Sequence, residues 1–130
     1  MMDRIEALFR EMERLVPMVL PERAPETAIA AAGGDVPAAI TAFWRLHDGA
    51  EIYVPGTRLF SVEEARQELA SPTRDPELYP LGVMNFGDML YMRRDGQVVQ
   101  IDHEDGSEFL TWPSLEAYLE DELANCRGEF

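Results

Sequence analysis

The pair Asp95-Gly96 constrains this chain more than any other feature. It stands between residues 88–94 and 97–102, two apolar-rich runs that read as strands. Asp-Gly between two such runs is the strongest short-range hairpin signal in the chain. A two-residue turn there pairs Arg94 with Gln97, so that Met92 faces Val99 and Leu90 faces Ile101. Those four apolar residues then share one face, and Tyr91, Arg93, Gln100 and Asp102 take the other. A lone hairpin is marginal in water, so the apolar face must be covered by other elements.

Helical periodicity supplies the cover. Over residues 3–16, Ile5, Leu8, Phe9, Met12, Leu15 and Val16 form one stripe, with Asp3 as cap and Glu6–Arg10 as a favourable i,i+4 pair. Pro17 and Pro21 end it, and a short Ala-rich helix over 26–32 is stopped by Gly33-Gly34. Asp35 is positioned to cap a helix over 36–47, with Pro37 in its first turn, Ile40, Phe43, Trp44 and His47 as its stripe, and Gly49 as its left-handed stop. Residues 50–54 and 57–60 read as strands around Pro55-Gly56. Ser61-Val62-Glu63-Glu64 is a capping box, opening a helix that runs to about Ala70 and closes at Pro72. After a polar loop over 71–78, residues 79–84 and 108–111 are further short strands. Pro113-Ser114 opens a last helix, 114–125, whose Leu115, Tyr118, Leu119 and Leu123 point inward. Hairpins dominate and no βαβ alternation is present. The expected class is α+β, a mainly antiparallel sheet with helices packed on it, in one domain spanning 1–130.

Charge narrows the function. Twenty-five Asp and Glu face eleven basic residues, every one an Arg, for a net charge of −14. Such a surface repels phosphate backbones and anionic bilayers, which excludes nucleic acid and membrane as partners and favours a basic protein. One cysteine, Cys126, makes neither an internal disulfide nor a Cys-rich zinc site, and the acidic start does not read as a secretory leader, so a cytoplasmic location is expected. No nucleophile elbow, phosphate-binding loop or catalytic pair is visible, and neither enzyme activity nor a cofactor is expected. His47 reads as a core-edge histidine bonded to backbone. Asp102-His103-Glu104-Asp105 is too short for a calcium loop and reads as a solvated acidic turn, so no metal is expected. The acids of residues 63–68, 102–108 and 116–122 together read as a negative surface for a cationic protein. Trp44 reads as core, whereas Tyr53 and Tyr91 are placed for exposure on strand faces.

Five stretches in order carry a resemblance. Ile29, Ala32, Gly34 and Pro37 followed by Phe43-Trp44-Arg45-Leu46-His47-Asp48-Gly49, then LFSVEEARQEL (59–69), YPLGVMNFGDMLYM (79–92), GQVVQIDHEDG (96–106) and SLEAYLEDEL (114–123), resemble the SUKH superfamily over about residues 26–123. Asp48 stands where Asn is commoner, Ala50 at a usual glycine and Leu115 at a usual phenylalanine. The resemblance implies an α+β, non-enzymatic protein-binding module. Many bacterial relatives are immunity proteins against nuclease or deaminase toxins, and the Smi/Knr cell-wall regulators are more distant members. The leading expectation is therefore a toxin-neutralising protein; a housekeeping adaptor, a DNA mimic and a metal enzyme using His47 or His103 are the rivals. The residues expected to meet the partner are Asp48, Glu51, Tyr53, Asp88 and Tyr91.

Overall fold

The stripe of Ile5, Leu8, Phe9 and Met12 winds into helix α1, Met2–Leu15, and all four side chains are buried. The computed structural model to which this helix belongs describes residues 2–32, 35–71 and 75–128. Helix α1 starts one residue ahead of the expected Asp3 cap, and Leu15, at the edge of its stripe, is exposed rather than buried. The Glu6–Arg10 pair forms at 3.3 Å. Two residues the sequence reading assigned to no element, Met18–Val19, make strand β1 between the two prolines.

Helices α2 (Glu26–Ala30) and α3 (Ala38–Trp44) follow, both shorter than their periodicity predicts. Pro37, not Asp35, occupies the N-cap of α3, and no side chain caps that end. Gly49 is left-handed, with φ of 94°, but it stands well past the end of α3 and turns the chain into a strand instead of stopping the helix. The Gly33-Gly34 stop and the closing Pro72 lie outside the described residues.

Strands β2 (Ala50–Ile52) and β3 (Thr57–Leu59) precede helix α4 (Val62–Leu69). Both arms of the capping box are made: Glu64 N–H donates to Ser61 Oγ at 3.1 Å, and Ser61 N–H to Glu64 Oε1 at 3.0 Å. Strands β4 (Tyr79–Met84), β5 (Met89–Met92), β6 (Val98–Ile101) and β7 (Glu108–Trp112) complete the sheet, and helix α5 (Leu115–Cys126) starts on its Ser114 cap. The seven strands pair antiparallel in chain order. The α+β class read from the sequence is the one observed.

The hairpin register differs from the expected one. Met92 pairs Val98, Tyr91 pairs Val99 and Leu90 pairs Gln100. The reason is the turn: Gly96 N–H bonds Arg93 O at 2.9 Å and Arg93 N–H bonds Gln97 O at 2.8 Å, so Arg94, Asp95 and Gly96 form a three-residue loop with left-handed Gly96, φ 96°, as its bulge. One extra loop residue carries Val99 and Ile101 to the opposite face and brings Val98 and Gln100 onto the core face. A second bulge, between Pro80 and Gly82 of β4, inserts Leu81 into the core. Gly82 is required there, because a Cβ on it would lie 2.4 Å from the Arg58 carbonyl oxygen.

Strand alternation assigns the two faces. Ala50, Ile52, Leu59, Leu90, Met92 and Val98 join helix residues such as Phe9, Phe43, Trp44, Ala65 and Tyr118 in one core. Trp44 is fully buried, with its indole N–H on Phe60 O at 3.0 Å. By register Glu51, Arg58, Val83, Met89, Tyr91, Val99 and Ile101 line the other face, on which Val99 is buried and Glu51, Val83, Met89, Tyr91 and Ile101 are half-buried. No helix among the described residues is long and apolar enough to cross a membrane.

Candidate protein-binding surface

Three turns meet at one end of the sheet. The β2–β3 turn (53–56), the β4–β5 turn (85–88) and the β6–β7 loop (102–107) are tied together by short bonds. Asn85 N–H reaches Gly56 O at 2.9 Å, and the His103 backbone N–H reaches Asp88 Oδ1 at 3.0 Å. Among the described residues, this end gathers most of the large apolar side chains that face solvent: Tyr53, Val54, Phe86, Phe109 and Leu110. Beside them lie Glu104 and Asp105, exposed on the loop. This end of the sheet is thus both apolar and acidic.

The acidic turn holds itself together. Asp102 Oδ1 accepts the N–H groups of Glu104 and Asp105, and Asp105 Oδ1 accepts Ser107 N–H at 2.9 Å and Ser107 Oγ–H at 2.7 Å. Those bonds hold the Asp105 carboxyl below its usual range, the Ser107 hydroxyl first. Asp88, Asp102 and His103 bring one potential ligand atom each within 4.8 Å of one another. Asp88 is already engaged, however: Oδ1 takes the His103 ring at 2.6 Å and Oδ2 takes the Gln100 amide at 2.7 Å. The His103 ring bond lowers the Asp88 carboxyl, and the Asp88 bond raises the His103 imidazole. This pair reads as a latch between two turns.

The five residues expected to touch a partner are dispersed. Glu51 and Tyr53 are adjacent on β2 and its exit; the Tyr53 hydroxyl donates to Glu51 Oε2 at 2.8 Å. Arg58 bridges Glu51 to Glu64, so the sheet face and α4 share one charged network. Glu51, Tyr53, Arg58 and Val83 line a surface hollow of about 340 Å³. Asp48 sits at the opposite end of β2, in a second hollow shared with Glu51 and Arg58. Its Oδ1 accepts Val62 N–H at 2.9 Å, so it caps the first turn of α4 alongside Ser61. Tyr91 lies further across the open face, half-buried between Pro80 and Val99 in register. Asp88 is buried, and it serves the surface by placing the turns.

His47 is built into the core edge: Nδ1 meets Pro21 O at 2.6 Å and Nε2 meets Glu6 Oε1 at 3.0 Å, under the edge of Phe9. Sequence reasoning misplaced one acid. Glu122, grouped with the solvated residues of α5, is 2% exposed. The signal was present in the spacing: Leu115, Tyr118, Leu119, Glu122 and Leu123 follow i, i+3, i+4, i+7 and i+8.

An antiparallel meander in chain order with helices packed on it defines an α+β domain. The family model for the SMI1 / KNR4 family (SUKH-1) matches residues 26–121, and the chain belongs to that family. A comparison with curated proteins returns no match. Domains of this family are in general non-enzymatic interaction modules, toxin-immunity proteins among them.

Proposed function

We propose that the chain is an immunity-type protein that neutralises a basic bacterial toxin, of nuclease or deaminase type, by covering its working surface. It acts in the cytoplasm and makes and breaks no covalent bonds of its own. The observation that carries this reading is how the charge is distributed. Nine arginines among the described residues are each held in ion pairs with the chain's own acids. The surplus acids are therefore left to set the outward field, and some of them flank the apolar loop end. A cationic toxin is drawn in by that field and held by Tyr53 and its apolar neighbours. Glu51, Asp48 and Tyr91 extend the contact over the open face, and Asp88 keeps the turns in place.

The test is coexpression. Cells producing any toxin found encoded beside this gene are compared with and without the chain. Survival that depends on the chain supports the reading. Death in both, with the chain folded and abundant, rejects it and favours a housekeeping adaptor of the Smi/Knr type.

A further inference from the structure

On the helix-covered side of the loop end, α5 leaves part of the sheet open. A hollow of about 230 Å³ lies there, between the ends of β3, β4, β6 and β7 and the last turns of α5. That is below the roughly 300–1,000 Å³ of sites that hold drug-sized ligands, and it suits one long side chain. Its rim is apolar: Phe86, Phe109 and Leu110 are 56%, 63% and 46% exposed.

Its floor is different. Glu122 projects from α5 and accepts from the Thr57 hydroxyl at 2.7 Å and the Tyr118 hydroxyl at 2.9 Å on Oε2, and from the Asn125 amide at 3.2 Å on Oε1. Every one of these donors is neutral. Among the described residues no arginine or histidine is ion-paired with Glu122. These neutral donors leave one of the roughly four lone-pair sites of the carboxylate open, on Oε1, and supply no counter-charge, which is an expensive state for a carboxylate out of water. Its field is felt nearby: burial first and Glu122 second raise both the Tyr118 hydroxyl and the Cys126 thiol. Asp121 adds a second acid at the edge, beneath the Trp112 indole N–H at 3.2 Å.

We propose that this hollow receives one arginine side chain from the protein partner, its stem lying along Phe86, Phe109 and Leu110 and its guanidinium meeting Glu122. The inference rests on the reading of the chain as a binder of a cationic protein and identifies the group on that partner that is captured. Arginine fits better than lysine because a planar guanidinium stacks on aromatic rings, is more weakly hydrated than an ammonium, and spreads its N–H donors so that one meets the open Oε1 site of Glu122. The partner's charge replaces the missing counter-ion, so the apolar rim excludes water from a pair that is then fully satisfied.

The probe is N-acetyl-arginine amide, with the neutral isostere N-acetyl-citrulline amide as control, titrated into the full chain. The Trp112 indole and Asn125 side-chain amide signals are followed by NMR. The arginine compound is expected to shift both signals saturably and the citrulline compound to leave them in place. Glu122→Gln, which keeps the shape and removes the charge, is expected to weaken binding by about tenfold or more. Phe109→Ala, at an exposed position that does not endanger the fold, is expected to weaken it as well. No localised shift at the solubility limit, or equal shifts with citrulline or with both variants, overturns the proposal. The two readings fail separately: a toxin neutralised equally well by Glu122→Gln sinks this inference alone, whereas arginine capture without cellular protection sinks the toxin partner alone.

Discussion

Asp88 and His103 show how single residues shape this surface by joining its turns. The carboxylate is buried, the imidazole is partly open, and their 2.6 Å bond closes the β4–β5 turn on the β6–β7 loop. The bond pulls the two titrations apart, raising His103 above its ordinary 6.5 and lowering Asp88. A raised histidine stabilises the fold fully below its unfolded value and loses that contribution as pH rises through the folded one. A lowered carboxylate loses its contribution as pH falls through its folded value. The latch therefore holds between the two and opens on the alkaline side first. NMR should find the His103 midpoint above 6.5 and see Asp88→Asn return it toward 6.5. A midpoint at or below 6.5 in the native chain contradicts the latch.

At the scale of elements, what was legible depended on whether local chemistry or tertiary pairing decided the outcome. The capping box at Ser61 is local, and both of its bonds form as the four residues imply. The Asp95-Gly96 hairpin was legible as a hairpin, but its register was not. Loop length turns on whether Arg94 stays in the ladder or joins the turn, and no side-chain pattern separates the two when Val98 and Val99 are both apolar. Strand β1 was hidden for a different reason: two residues between prolines carry no period, and only pairing with Ile52 and Glu51 makes them a strand. The proposed contact surface was the least legible. Glu51 and Tyr53 stood out as strand residues, but Phe86, Phe109 and Glu122 come to line one hollow only when the loops and a helix end converge. Helix α1 lies ahead of the family match yet belongs to the core, packing along α5 and placing Phe9 against Phe43 with centroids 5.7 Å apart. Phe9→Ala should therefore destabilise the fold by about 3–5 kcal/mol, read from denaturant unfolding. A loss under about 1 kcal/mol would show α1 to be an appendage to the domain.

The molecule as a whole is a small body with a large negative excess. Its surface ion pairs contribute roughly 0–1 kcal/mol each, whereas −14 distributed over one domain produces long-range repulsion that salt screens effectively. Shortening the Debye length from about 30 Å to about 8 Å should thus raise the melting temperature; a fall would mean that the local pairs outweigh the repulsion. Under the proposed function, the same excess that strains the isolated chain is relieved when a cationic protein docks. The central claim, that the chain works by covering its partner and not by chemistry, is tested most directly by one titration. The purified toxin's activity is measured as the chain is added in increasing amounts. The account predicts immediate inhibition that is complete at a fixed molar ratio and recedes at high salt. Slow loss of activity that goes to completion with far less chain than toxin would contradict it, because only a catalyst behaves that way.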